Sequence, residues 1–359
     1  MTKDSVSRMD HGWCMRSAFV LLRSLFALWL LAGAGCDKLS LPDQTATDPA
    51  AAPGTPPPST SSPEIAQRSP EQIIENFQAL QPALRNDELL KELSELPLAQ
   101  EEMNELNLAG GAITDRGLDV LPAFAAVTAL DLSHTRISGE AFQSVVQMPA
   151  LEKLSLEGVA VGEDPYAALA AAPGLKSLSL AGTGVGDGVF AHLAELEGLE
   201  SLDVSGNPRL LGAEFTALVK MNHFAELTQL VAAETQFGFY GLQELGRLEN
   251  LQTLKLSNSA VGNESLQGIR RCTSLRVLYL SDNNISDQGL VALTSLKALE
   301  ELRLGGCAAI TDQGLKPIRA LKQLELLNLD GTLCTVAGAQ NLKDRFLTDT
   351  TITIAGQEL

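Results

Sequence analysis

From Met103 onward the chain repeats itself every 24 residues, and no other feature constrains its folding so tightly. The first apolar residue of successive L-x-x-L-x-L segments is Met103, Val127, Leu151, Leu175, Leu199, Leu227, Leu251, Leu275, Leu299 and Leu324, giving steps of 24 with a single 28 and a final 25. A unit this short cannot bury its own apolar edge, but ten in register can do so by stacking into one continuous core. The pattern predicts an α/β solenoid. Alternating leucines of a short strand point inward, successive strands pair in parallel on the concave face, and helices return on the convex face. The ninth position carries Thr135, Thr183, Asn207, Thr235, Ser259, Asn283, Cys307 and Thr332, small and mostly polar side chains able to bond backbone groups where the chain leaves the strand; Gly111 and Val159 depart from that. Thr114-Asp115, Ser286-Asp287 and Thr311-Asp312 then offer N-caps for the helices that follow.

Full-length copies such as Leu275 to Leu290, and Leu299 to Leu315 with its ending Ile310-Thr311-Asp312-Gln313-Gly314-Leu315, are similar to the leucine-rich-repeat family. The I-T-D-x-G-L ending resembles the ribonuclease-inhibitor-like and F-box-associated branch. The resemblance covers about residues 100–345, a repeat domain placed at 99–345. It implies a horseshoe whose concave sheet binds other macromolecules. Its F-box side suggests adaptor work, against which stands the absence of a recognisable F-box in residues 65–100.

Ahead of the repeats lies a targeting segment. Arg16 and Arg23 precede an apolar stretch from Ser24 to Ala32, followed by Gly33, Ala34, Gly35 and then Cys36, the order of a secretory signal and too short to span a bilayer. Leu31-Ala32-Gly33-Ala34-Gly35-Cys36 resembles the lipobox of bacterial lipoproteins, although Gly33 stands where that family usually has Leu. The resemblance implies acylation of Cys36, removal of residues 1–35 and lipid anchoring to the bacterial cell envelope, on its membrane, periplasmic or surface side. An ordinary signal peptide cut near Ala34, or an uncleaved anchor, is the alternative. Residues 36–70, rich in Pro, Ser and Thr with Pro56-Pro57-Pro58, read as a disordered tether. Apolar residues at helical spacing between Glu71 and Leu96, broken at Pro82, predict a helical cap over residues 71–98, and residues 346–359 a cap at the other end.

A net charge of −18 excludes a basic nucleic-acid binder. His134, His192 and His223 fall in separate repeats with no ligand spacing, so no metal is expected, and no H-E-x-x-H, G-x-S-x-G or phosphate-loop motif is present. The chain is read as a non-enzyme needing no cofactor. Cys272, Cys307 and Cys334 read as small buried apolar residues, with a Cys307–Cys334 disulfide left open. The aromatics of the long repeat, around Phe224 and Phe239-Tyr240, read chiefly as filling for the extra length, with a second contact patch as the alternative.

Function on a solenoid resides where side chains are free of packing duty, the third, fifth and seventh positions of each strand. Early strands offer small and acidic-polar residues there; the last four bring together Lys255, Val277, Tyr279, Glu301, Arg303, Leu326 and Asn328. Tyr and Arg flanked by aliphatics have the composition of a protein contact, with an ordinary solvated sheet face as the plain alternative. The reading is therefore a non-catalytic macromolecule-binding envelope lipoprotein with a protein partner. A glycan or cell-wall binder is the alternative, disfavoured because this face offers a single aromatic for ring stacking. A signalling adaptor ranks below both.

Overall fold

The computed structural model describes residues 69–172 and 174–359, so the leader, Cys36 and the tether lie outside the described residues. One three-residue strand opens each repeat: β1 Glu105–Asn107, β2 Ala129–Asp131, β3 Lys153–Ser155, β4 Ser177–Ser179, β5 Ser201–Asp203, β6 Gln229–Val231, β7 Thr253–Lys255, β8 Val277–Tyr279, β9 Glu301–Arg303 and β10 Leu326–Asn328. β11 (Thr351–Ile354) extends the parallel order and β12 (Gln357–Glu358) folds back antiparallel, closing a 12-stranded sheet in sequence order. Like positions pair throughout, as in Leu106 with Leu130 and Leu302 with Leu327, so each leucine stacks on its counterpart. This is the leucine-rich-repeat solenoid expected from the period.

The strand exit is tighter than the strand alone requires. The eighth residue of every repeat has positive φ, whether glycine, as at Gly206 (68°) and Gly331 (70°), or not, as at His134 (56°), Glu234 (56°), Asn258 (51°) and Asp282 (58°). Left-handed backbone turns the chain out of the sheet while the same residue's N–H still donates to the next repeat, as His134 does to Glu157 O at 2.7 Å and Glu234 to Ser257 O at 2.9 Å. The ninth side chains then satisfy carbonyls in the interior: Thr135 donates to Leu132 O at 2.6 Å, and Asn283 Nδ2 donates to Leu256 O at 2.6 Å and Leu280 O at 2.9 Å.

The convex returns are shorter and tighter than full α-helices. Gly117–Ala123, Ser265–Arg271 and Gly289–Ser295 are seven-residue 3₁₀ runs. At about 2.0 Å per residue against 1.5 Å, a 3₁₀ run crosses the convex side with fewer residues. The α-helical segments are α4 Phe142–Val145, α5 Val189–Leu193, α6 Ala213–Lys220 and α7 Leu315–Ile318 within the repeats, with α1 Pro70–Ala79, α2 Asp87–Ser94 and α3 Pro97–Glu102 before them and α8 Val336–Phe346 after. α6, the longest within the repeats at eight residues, belongs to the 28-residue step, whose extra length accommodates the longer helix.

The expected capping holds for two of the hydroxyls, Thr114 Oγ1 accepting from Gly117 N at 3.4 Å and Thr311 Oγ1 from Gln313 N at 3.2 Å, but not for the aspartates beside them. The aspartates do not cap their own helices but reach into the next repeat: Asp115 accepts from Ser138 N (2.7 Å) and Oγ (2.7 Å), Asp287 from Thr311 N and Oγ1 (2.7 Å each), and Asp312 from Thr335 N and Oγ1 (2.8 Å each). A carboxylate at the start of a short 3₁₀ run gains more by accepting two donors across the repeat boundary than one at its own end.

Inside the middle of the stack the leucine of the I-T-D-x-G-L ending is replaced by aromatics: Phe142, Tyr166, Phe190 and Phe215, all fully buried, with Phe142–Tyr166 at 5.5 Å and Phe190–Phe215 at 5.1 Å between ring centres. Phe224 and Phe237 join Phe215 at 5.2 and 5.3 Å and fill the long repeat. Phe239 and Tyr240 do not share that filling role and stand 55 % and 48 % exposed on the convex side. At the first strand Arg85 is buried and donates to Asn107 O (2.9 Å) and Oδ1 (3.0 Å), covering an edge carbonyl of β1.

Candidate functional site

The candidate residues share one face because alternate strand positions project from the same side of the sheet. Lys255, Tyr279, Arg303 and Asn328 are direct cross-strand partners on β7 to β10, and Val277, Glu301 and Leu326 form the parallel row two residues earlier. All are half-buried except Arg303, which is exposed.

Tyr279 is held from three directions. Arg303 places its guanidinium carbon 4.3 Å from the ring centre and Lys255 its ammonium at 4.9 Å, both in cation–π range. The phenol donates to Glu301 Oε1 at 3.0 Å, and Arg303 Nε donates to the same oxygen at 2.8 Å, with a further ion-pair contact at 2.7 Å. Partial burial raises the Tyr279 phenol above its ordinary pKa, the Glu301 bond and charge add to this, and Arg303 opposes it. Glu301 and Asn328 therefore serve inside the surface: Glu301 positions the ring and the guanidinium, while Asn328 Nδ2 donates to Thr353 Oγ1 (2.8 Å) and Asp330 Oδ2 (2.9 Å). Lys255, Tyr279, Arg303, Val277 and Leu326 remain as the side chains presented outward.

The sequence reading did not locate a hollow at the other end of the same face. Over β1 to β4, small side chains leave a depression of about 290 Å³ bordered by Asn107, Asp131, Lys153, Ser155, Ser177 and Ser179. The signal was present as four consecutive strands with no outward aromatic and, at their ends, only Asn107, Asp131, Ser155 and Ser179 facing out.

Cys272 and Cys307 are buried and Cys334 half-buried, all three as free thiols. Cys307 Sγ lies 3.2 Å from Leu280 O, taking the role that Thr or Asn plays elsewhere at the ninth position. Of the histidines, His223 Nδ1 contacts Ala194 O at 3.1 Å and His134 Nε2 lies 3.6 Å from Glu157. Among the described residues no three His, Cys, Asp or Glu side chains group as metal ligands, and no helix is long and apolar enough to cross a membrane.

Residues 273–316 match the family model for leucine-rich repeats, two copies. Among solved structures, the chain is similar to an internalin (inlF) of Listeria monocytogenes, at 18 % identity over 80 % of this chain and 94 % of that one, with a TM-score of 0.54. A leucine-rich-repeat protein of Leptospira interrogans also matches, at 18 % identity over 70 % of this chain and 72 % of that one, with a TM-score of 0.48. No curated relative matches the sequence. Residues 273–316 are leucine-rich repeats by sequence, and the described chain as a whole carries the leucine-rich-repeat fold.

Proposed function

We propose that this chain is a non-catalytic, protein-binding component of the bacterial cell envelope. It is exported through residues 1–35, anchored through acylated Cys36 and held off the bilayer by residues 36–70. The observation that carries the binding reading is the fixed Tyr279 ring, flanked by Lys255 and Arg303 and bordered by Val277 and Leu326 on the concave sheet. A rigid aromatic already oriented by Glu301 contacts a partner with little loss of conformational entropy, the condition under which Tyr and Arg dominate interfaces.

The double variant Tyr279→Ala/Arg303→Glu tests this reading in native membranes, by crosslinking followed by mass spectrometry. Loss of the envelope proteins captured by the wild type is expected; unchanged capture counts against the patch. The same spectra report on the anchor: an acylated N-terminal Cys36 is expected, and an unmodified thiol or a retained leader contradicts it. The glycan alternative has the serine-lined hollow over β1 to β4 in its support. Binding to isolated cell wall that survives the double variant would favour that reading.

A further inference from the structure

The molecule's charge is divided along its length. Residues 69–219 hold 7 Lys+Arg against 23 Asp+Glu, whereas residues 220–359 hold 13 against 15. Two cations just ahead of strands are neutralised, Lys176 by Glu152 at 2.8 Å and Arg276 by Glu300 at 2.6 Å. A second set is not. Arg270, Lys297, Arg319 and Lys322 stand exposed where the convex returns of three consecutive repeats end, and none forms an ion pair among the described residues.

These four form a continuous row. Ser295 of the second repeat donates to Arg270 O at 2.7 Å, Lys297 Nζ donates to Ala320 O of the third at 3.2 Å, and Lys322 Nζ donates to Phe346 O beyond it at 2.8 Å. Phe346, 38 % exposed, ends the row with Arg319 at 5.8 Å and Lys322 at 5.5 Å from its ring centre. A line of unneutralised cations finished by an exposed aromatic is the chemistry that meets a bilayer at headgroup depth, cations to phosphates and ring to the interface.

We infer that this edge docks on an anionic lipid surface, laying the C-terminal repeats along a membrane and turning the acidic N-terminal half away. The excess carboxylates do not prevent it, because at physiological ionic strength charges beyond roughly 8 Å are largely screened. The inference concerns an edge separate from the concave patch and holds whether or not Cys36 is acylated.

The test adds the full chain to preformed vesicles of phosphatidylcholine alone, or of phosphatidylcholine with phosphatidylglycerol, and measures co-sedimentation. Because residues 1–35 carry Lys3, Arg8, Arg16 and Arg23, the readout is the change that each variant makes, relative to the wild-type chain, in the excess on anionic vesicles. Each cation near an anionic bilayer multiplies partitioning by roughly five. Arg319→Glu/Lys322→Glu is therefore expected to lower that excess about 25-fold or more, and high salt to abolish it; Arg270→Glu/Lys297→Glu, on other repeats, should act alike. Equal capture on both vesicles, or an excess that survives both variants, overturns the inference. So does a wild type that ignores the anionic lipid but is retained by polyglutamate resin through these residues, which would make the partner an acidic protein.

Discussion

The guanidinium of Arg303 lies 4.3 Å from the centre of the Tyr279 ring, and both residues bond the same oxygen of Glu301. One carboxylate thereby fixes an aromatic and a cation from adjacent strands. Their titration should report that coupling. Glu301→Gln removes a negative charge that helps raise the Tyr279 phenol and should lower its midpoint, whereas Arg303→Ala removes a cation that lowers it and should raise the midpoint further. NMR of ring-labelled tyrosine measures both, and shifts in the same direction would contradict the geometry.

The start of α6 depends on a residue one repeat away. Asp187 accepts from Leu211 N at 2.6 Å, Gly212 N at 2.9 Å and Ala213 N at 2.7 Å, so Asp187→Ala leaves several backbone donors without their acceptor. A loss of about 2 kcal/mol in urea unfolding is expected, with Asp187→Asn retaining part of it. An unchanged midpoint in the alanine variant would show that water serves equally well.

Tyr166 is wholly buried and its hydroxyl makes no hydrogen bond; the Thr183 hydroxyl nearby, which donates to Leu180 O at 2.8 Å, is the candidate acceptor. The repeats on either side place Phe142 and Phe190 at the same position. Tyr166→Phe should stabilise the protein by about 1 kcal/mol by removing an unsatisfied polar group while keeping the ring. Destabilisation of similar size would reveal a partner for that hydroxyl.

Burial pushes the Cys272 thiol from 9.0 up to about 12. Below the unfolded value both states hold the proton and the folded state keeps its full advantage. As pH rises through the interval between the two values, the unfolded chain ionises first and is favoured, so stability falls by up to about 4 kcal/mol. Unfolding followed across this interval should show the decline, shallower in Cys272→Ala, and the native thiol should resist alkylation. A slope identical in both proteins would place the origin elsewhere.

The period made the strands, their register and the inward leucines legible, because each depends only on what a copy must do for its neighbour. The helix type was less legible: steps of the same 24 residues return as 3₁₀ at Ser265–Arg271 and as α-helix at α5, so repeat length does not fix it. In the Thr/Ser–Asp pairs the capping threonines were legible, but the role of the aspartates was not, because their acceptor geometry joins residues about a repeat apart, as Asp312 with Thr335. At the candidate surface the register placed Tyr279 beside Arg303 from sequence, but not the shared Glu301 oxygen, which depends on side-chain rotamers. The hollow over β1 to β4 arises from what those strands lack, a weaker signal than a motif.

The central claim is that the concave sheet around Tyr279 meets a protein partner. A photo-crosslinking amino acid placed at Tyr279, and separately at the convex, 55 % exposed Val291, measures this directly in native membranes. The account predicts a discrete protein adduct from position 279, weakened by Arg303→Glu, and none from 291. Adducts from 291 alone, or equal and diffuse labelling from both, would contradict it.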